Sequence, residues 1–522
     1  MKVVDTKEMK FIEKSCLDYG ITEDQLMENA GKSIAKIIHA QIKKNIELNV
    51  LILIGPGNNG GDGFVAGRYL ETIGANVTYY QCCETFSDLS MKMFKKLNTP
   101  VLINYKDDLN LKKLKLLLGN MNVVIDAFLG TGVSRPITES VESIFQLIVN
   151  FRDNNSNLQI ISIDIPSGIN PDNGTIGSCC IKADITICLG LSKIGLFEYP
   201  ASQFIGQLLV ADIGIPKELI STGPLNVLTT TETSFPIRSN ISHKGTFGSV
   251  LVVGGSRNYI GAPVLAANAA FRIGAGLVSI AYPENIQTAI AAQSKEIIHV
   301  PLSLTSKKQG WHETISPYLD KVSSVVIGCG LGQDEIVKKQ IPDLMKTIKL
   351  FNLPTIIDAD ALNNLKNISR WWEIIPKGSI LTPHPGEMSA ITNLSKKEIQ
   401  SNRIAISIKY ARKWNVILIL KGAMTVIAFP SGKCYINPFA SSILATAGTG
   451  DVLAGIIGGF IAQELKPELA AISGVLVHSK AAEILKDKFG SGGALASELI
   501  LAIPMALKIL RDFQKLPIKS DF

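Results

Sequence analysis

The chain has 522 residues, 46% of them hydrophobic, with 52 basic and 45 acidic residues for a formal net charge of +7. That length is too great for one ordinary domain and suits two or three, each with a full core. The small charge surplus contains no basic block, so nothing demands nucleic acid, and only a modest bias toward anionic substrates remains.

The chain opens MKVVD, mixed in charge and unlike a signal peptide. Mean hydropathy is +0.24. Yet the longest uncharged run, 434–450, is full of Ser, Thr, Asn, Pro and Gly, and no stretch of about twenty apolar residues is present to span a bilayer. A soluble, cytoplasmic protein with no nucleic-acid or membrane partner is expected. The eight cysteines (Cys16, Cys82, Cys83, Cys179, Cys180, Cys188, Cys329 and Cys434) form no CxxC pair and no zinc-finger spacing with histidine. They read as reduced thiols.

Residues 7–43 carry helical spacing. Short β-branched runs follow at 49–54 (NVLILI), 76–81, 122–126 (NVVID) and 159–164 (QIISID), each trailed by a turn residue and a helix-length segment. Runs apolar on both faces predict a parallel sheet covered on both sides. The second half repeats the style, with strands expected at 249–253, 277–281, 323–327, 355–358, 416–420 and 425–429. Between the halves, 216–242 is rich in Thr, Ser, Pro and Asn. It places a boundary near Gly223 and divides the chain into domains 1–222 and 223–518. The expected fold class is α/β, with two three-layer αβα domains.

The first strand runs into GPGNNGGDG (55–63). Gly55, Gly57 and Gly60 fit a GxGxxG fingerprint with Glu84 beyond, a weak signal alone. Pro56, Asn58, Asn59 and the further glycines predict a longer polar loop, with the helix starting nearer Gly63. Two more polar loops follow strand ends, DAFLGTGVSRP (126–136) and DIPSG (164–168). Their Asn, Asp and Ser side chains offer oxygen ligands. Three such loops in successive βα units converge where open α/β sheets bind ligands. Three ordinary turns are the plainer alternative.

In the second half, LATAGTGDVLAG (444–455) sets a small-residue loop before an apolar helical run. Glycines let the backbone approach a phosphate, and free N–H groups at a helix start form an anion pocket. Asp451 is then placed to accept a hydroxyl proton; a helix start with Asp near its cap is the equal alternative. Lys421-Gly422-Ala423-Met424-Thr425 puts a cation just past a buried run, which suits a nucleotide phosphate. TPHPGE (382–387) pins His384 between two prolines that fix the loop. DADAL (358–362) brings two carboxylates to a strand end, as a ligand site or as a capped helix.

The ordered segments HKG (243–245), VVGGS (252–256), YIGAP (259–263), GAGLV (274–278), DADAL, TPHPGE, KGAMT and ATAGTGD resemble the ribokinase-like NAD(P)H-hydrate dehydratases across the whole second half. That resemblance implies a ribokinase-like domain that uses ADP or ATP, with Mg2+, to phosphorylate the C6 hydroxyl of a hydrated nicotinamide ring. It implies Asp451 as base, Gly448, Thr449 and Gly450 around the phosphates, and Lys421, Gly422, Ala423, Met424 and Thr425 as the adenine-nucleotide segment. Ala262, Gly330, His384 and Asp451 would contact the hydrate. Cys329 stands where that family usually has Pro.

The first half, through PGNNGGDG, DAFLGTGVSRP and DIPSG, resembles the NAD(P)H-hydrate epimerases. That resemblance implies a Rossmann-like domain with K+ held at Asn59, Asp126 and Ser167. Substrate contacts would fall at Asn58, Asn59, Gly60, Gly61, Asp62, Gly130, Thr131, Gly132, Val133, Ser134, Arg135, Pro136 and Asp164. Asp164 would be the acid/base that interconverts the R and S hydrates. The two halves together imply repair of NAD(P)H hydrates at the expense of an adenine nucleotide, in a homo-oligomer. The alternative is a ribokinase-like small-molecule kinase with an amino-terminal binding or dimerisation module.

Overall fold

A computed structural model describes residues 2–42, 47–98, 100–132, 137–155, 157–220, 223–228, 233–304 and 310–515. The chain forms two compact units, Met1–Leu225 and Asn226–Asp521.

The first unit is built on seven strands: β1 (Asn49–Ile54), β2 (Asn76–Gln81), β3 (Val101–Asn104), β4 (Val123–Ala127), β5 (Gln159–Ile163), β6 (Ile185–Leu189) and β7 (Gln207–Ala211). Their spatial order is β3-β2-β1-β4-β5-β6-β7, parallel throughout. Side chains of β1 go alternately to the two faces. Val50, Ile52 and Ile54 join one core, and Leu51 and Leu53 join the other. This is the three-layer arrangement that a run apolar on both faces demands. The chain leaves β1 toward β2 on one side and returns to β4 on the other. The crevice beyond Ile54 and Ala127 is therefore the switch point, where such sheets bind ligands.

Two helices close one face. Helix α1 (Glu23–Gln41) starts in a capping box between Thr22 and Gln25. Helix α2 (Asn58–Thr72) begins at Asn58, behind Gly57 as its cap, and not near Gly63. The glycine run is thus helix, not loop. A Cβ on Gly61 would lie 2.7 Å from Met27 Sδ of α1, and one on Gly63 would lie 2.7 Å from Ala127 Cβ of β4. These glycines let α2 press against both neighbours. At the amino terminus, Val3 and Val4 pair in parallel with Ser192 and Lys193. Thr6 then fastens the segment by donating from N and Oγ1 to the Asp172 carboxylate, at 2.7 Å each.

The second unit holds a ten-stranded sheet: β8 (Leu225–Val227), β9 (Ser249–Val253), β10 (Leu277–Pro283), β11 (Ile298–Leu302), β12 (Ser324–Ile327), β13 (Thr355–Ile357), β14 (Ile380–Leu381), β15 (Ile417–Leu420), β16 (Val426–Ala428) and β17 (Cys434–Ile436). The order is β8-β17-β16-β15-β14-β13-β12-β9-β10-β11. Strands from β11 across to β15 are parallel, and β16 and β17 return antiparallel. Helices α3 (Gly261–Ile273), α4 (Ala359–Leu365), α5 (Pro385–Thr392), α6 (Thr449–Ala462), α7 (Pro467–Phe489) and α8 (Ala496–Lys515) complete the site and the core. Helix α6 is almost wholly buried. It runs so close to α3 that a Cβ on Gly455 would meet Ala266 O at 2.0 Å.

Among the described residues no helix is long and apolar enough to cross a membrane. All eight cysteines are free.

Candidate functional site

Each unit carries a polar cluster at the carboxy ends of its parallel strands. In the first, Asp126 is the penultimate residue of β4 and is fully buried. Its carboxylate accepts from Ser167 Oγ (2.6 Å), Ser167 N (2.8 Å), Ser162 Oγ (2.9 Å) and Phe128 N (3.3 Å). Burial pushes the carboxyl up, and these four donors pull it back down only in part. Ser167 Oγ also accepts from Leu129 N at 2.8 Å, which ties the loop after β4 to the DIPSG turn. Asn59, in the first turn of α2, donates from Nδ2 to Ile163 O at 3.3 Å. Its Oδ1 is buried with no hydrogen-bond partner. A Cβ on Gly130 would come within 3.3 Å of Asn59.

Asn59, Asp126, Ser167 and Gly130 are thus brought together as expected. Asn58 is exposed, with its Oδ1 accepting from Ser87 at 3.0 Å. Thr131 and Gly132 lie at the rim, and Val133, Ser134, Arg135 and Pro136 fall outside the described residues.

Beside this group sits a second one, centred on a residue that sequence reasoning missed. Asp164 directly follows the next strand with a left-handed backbone (φ 66°), a strained conformation for a non-glycine residue. Its carboxylate accepts from Leu189 N at 3.3 Å and is ion-paired to the ammonium of Lys193, which is 1% exposed. Burial alone would depress that ammonium, but the surrounding negative groups, Asp164 first, outweigh it and hold it charged. Asp62, buried on α2, is pushed well above the usual carboxylate range by burial and then by Asp164 and Glu13. The signal for Lys193 was present: it is the lone charge in the apolar run CLGLSKIGLF (188–197), and a buried lysine needs a partner.

In the second unit, Asp358 follows β13 and is 1% exposed. Its Oδ1 accepts from Lys421 Nζ at 2.6 Å and Thr382 Oγ1 at 2.7 Å. Lys421 also lies 3.8 Å from Glu387 Oε2, so one ammonium serves two buried carboxylates and is pushed up to about 12. Asp451, in the first turn of α6, has a carboxyl raised to about 7 by burial and then by Asp358. Asp451, Asp358 and Cys329 present ligand atoms within 4.8 Å of one another. Gly450 faces Lys421 so closely that a Cβ there would lie 3.2 Å from Nζ. Gly448 caps α6 with φ 91° and would meet Leu265 if it bore a side chain.

His384 caps α5. Its Nδ1 accepts from Gly386 N (2.9 Å) and Glu387 N (3.2 Å), and Glu387 reciprocates on His384 N at 2.8 Å. The prolines and this box fix the ring, and burial followed by Lys421 keeps it below the ordinary histidine range. Asp360, the second carboxylate of DADAL, holds the glycine loop after β12 by accepting from Gly332 N at 2.9 Å. Gly330 in that loop packs on Ala262, at whose Cβ its own would lie 2.8 Å away.

A cavity of about 690 Å³ brings together His384, Lys421, Gly422, Ala423, Thr449 and Gly450, and Thr425 also lines it. Met424 turns into the core with φ 54°. Ala262 and Gly330 lie outside that lining; Cys329, next to Gly330, is what links them to Asp451. Sequence reasoning also missed His478 on α7. Its Nε2 sits 2.9 Å from Thr449 O at the start of α6, and burial lowers the ring to about 4, which keeps it neutral.

Fold and clusters define the class first: an α/β enzyme with a polar site at the strand ends of each unit. The family described as NAD(P)H-hydrate dehydratase matches residues 250–505, and that described as YjeF-related protein N-terminus matches 23–195. Bifunctional NAD(P)H-hydrate repair enzymes match over nearly full length. That of Moorella thermoacetica is 34% identical, covering 98% of both chains. That of Dictyoglomus turgidum is 35% identical, covering 97% of this chain and 98% of its own. A solved ADP/ATP-dependent NAD(P)H-hydrate dehydratase from Bacillus subtilis is 31% identical, with a TM-score of 0.47, covering 55% of this chain and 98% of its own. The chain belongs to the family of bifunctional NAD(P)H-hydrate repair enzymes.

Proposed function

We propose that the second unit dehydrates the S form of NAD(P)H hydrate at the expense of ADP or ATP, and that the first unit interconverts the R and S forms. The observation that carries the first claim is the Asp451 carboxyl, raised to about 7 and one residue from the Gly450 backbone that faces Lys421. A base with that affinity for protons matches the working pH. It takes the proton of the C6 hydroxyl as that oxygen attacks the terminal phosphorus. The bond from phosphorus to the departing nucleotide breaks, with Lys421 and the first N–H groups of α6 facing the shifting negative charge.

The C6 hydroxyl has now become a phosphate ester. The ring nitrogen lone pair expels phosphate, a proton leaves C5, and the reduced nicotinamide is restored. Mg2+ would enter on the nucleotide phosphates, because Asp358 Oδ1 is already engaged by Lys421 and Thr382.

In the first unit, the nitrogen lone pair assists loss of water from C6, and water re-adds to either face of the flattened ring. Asp62, pushed well above the usual carboxylate range by burial, and Asp164, paired with Lys193, supply an acid and a base in one crevice. The buried, unpartnered Asn59 Oδ1 and the Asp126 carboxylate, which has no cationic partner among the described residues, suit K+ with Ser167. That ion would neutralise Asp126 and draw α2 to the loop after β4.

The test is purified protein given mixed NADH hydrates with ADP or ATP. Both epimers should disappear as the reduced-nicotinamide absorbance returns and free phosphate accumulates. A stable phosphorylated product would point instead to a small-molecule kinase, and no nucleotide-dependent recovery would refute the reading.

A further inference from the structure

In the second unit a separate cavity of about 510 Å³ opens between the end of α3, the segment after Ser234 and the last helix, α8. Gly274 lies just before β10, whereas Asp358 and Lys421 follow the strands parallel to it. The cavity is therefore at the opposite end of the parallel strands from the site at Lys421. Four cations line it: Arg238, Arg272, Lys508 and Arg511, against one carboxylate, Asp512. Among the described residues none of the four is in an ion pair.

Two of these guanidiniums are pinned. Arg238 donates to Gly274 O at 2.6 Å and stacks over Phe247 at 3.5 Å from its centroid. Arg511 donates to Pro236 O at 2.6 Å. A guanidinium has five N–H donors, so each keeps donors free for a ligand. The two are close enough that Arg238, after burial, pushes the Arg511 guanidinium down. Like charges are therefore held together by the fold, with Asp512 the one carboxylate in the lining. Arg238 is exposed and Arg511 half-buried, and both are tied to backbone carbonyls.

The volume is that of a small-molecule site. Its chemistry, planar forks beside a flexible ammonium, fits phosphate oxygens. Phe271, Pro504 and Leu507 add an apolar wall.

We propose that this cavity is a second anion site, binding the polyphosphate chain of a nucleotide independently of the two active sites. It does not rest on the reaction proposed above.

The test is isothermal titration of the full chain with a non-hydrolysable ATP analogue, counting equivalents. Arg272→Gln with Lys508→Gln removes two of the four cations without touching either pinned arginine. The parent should bind one equivalent more than this double variant, or bind it at least tenfold tighter, while the remaining equivalents stay unchanged. Excess inorganic tripolyphosphate should displace that same equivalent. Identical isotherms for parent and variant would overturn the assignment, as would failure of tripolyphosphate to compete.

Discussion

The two sites solve the problem of buried carboxylates differently. In the first unit Asp164 has an ammonium of its own, Lys193, and the repulsion falls on Asp62, whose carboxyl burial and Asp164 push well above the usual carboxylate range. In the second, a single ammonium, Lys421, lies between Asp358 and Glu387, and Asp451 beside them is left poised near neutrality. Whether a carboxyl becomes an acid or a base thus follows from how many cations the fold buries with it, not from residue type. The two reactions proposed for these sites ask for this difference. Epimerisation needs acid and base at once, while phosphoryl transfer needs a base that can take a proton and later release it.

The strongest way to break this comparison is Asp451→Asn. Loss of a positioned base costs about 10²–10⁴-fold, so nucleotide-dependent recovery of absorbance should all but vanish. Epimer exchange, followed by chromatography of the hydrates, should continue at the parent rate. If both fall together, the sites are not separable in this way.

Next in size is Lys193→Met. It leaves Asp164 buried without its partner, and breaking such a pair costs roughly 3–5 kcal/mol. Thermal unfolding of the first unit should move down and epimer exchange should slow by about 100-fold. Adding Asp164→Asn should restore much of the stability and none of the exchange. Full exchange in Lys193→Met would sink the paired-charge reading.

The pH profile sharpens the second site. As the proposed base Asp451 must be ionised to act, so dehydration of the S hydrate should fall about tenfold per pH unit below about 7. The stability sign runs the other way. A carboxyl raised in the folded state contributes stability that is fully present below its usual range and is lost as pH rises through about 7. The melting difference between parent and Asp451→Asn should therefore widen against the parent from pH 4 to pH 8.

The smallest effect is expected from exchanging K+ for Li+. With Asn59 Oδ1 and Asp126 poorly served by the smaller ion, epimer exchange should slow by about tenfold while dehydration stays within twofold, an order-of-magnitude expectation from loss of local charge neutralisation. Equal slowing of both would place the ion's action elsewhere.

Much of this was legible before any coordinates. All ten expected strands are present to within two residues, because central strands are apolar on both faces and end in polar turns. Strands such as Val101–Asn104 and Gln207–Ala211 lie at the sheet edge, only partly buried, and carry no comparable run. The two-residue strand Ile380–Leu381 is simply too short to show a period. The glycine run at 55–63 misled for a specific reason. Glycine reads as loop, yet here it answers the close approach of α2 to α1 and β4, which only the packing reveals. DIPSG and TPHPGE announced Asp164 and His384 by local chemistry. Lys193 and His478 have no motif; their partners lie 29 residues away, on other elements.

The two-residue pairing of Val3 and Val4 with Ser192 and Lys193 has a practical side. The strand that carries the buried ammonium has the first residues of the chain as its neighbour. Substitutions at Val3 or Val4 therefore act on the strand that holds Lys193 against Asp164.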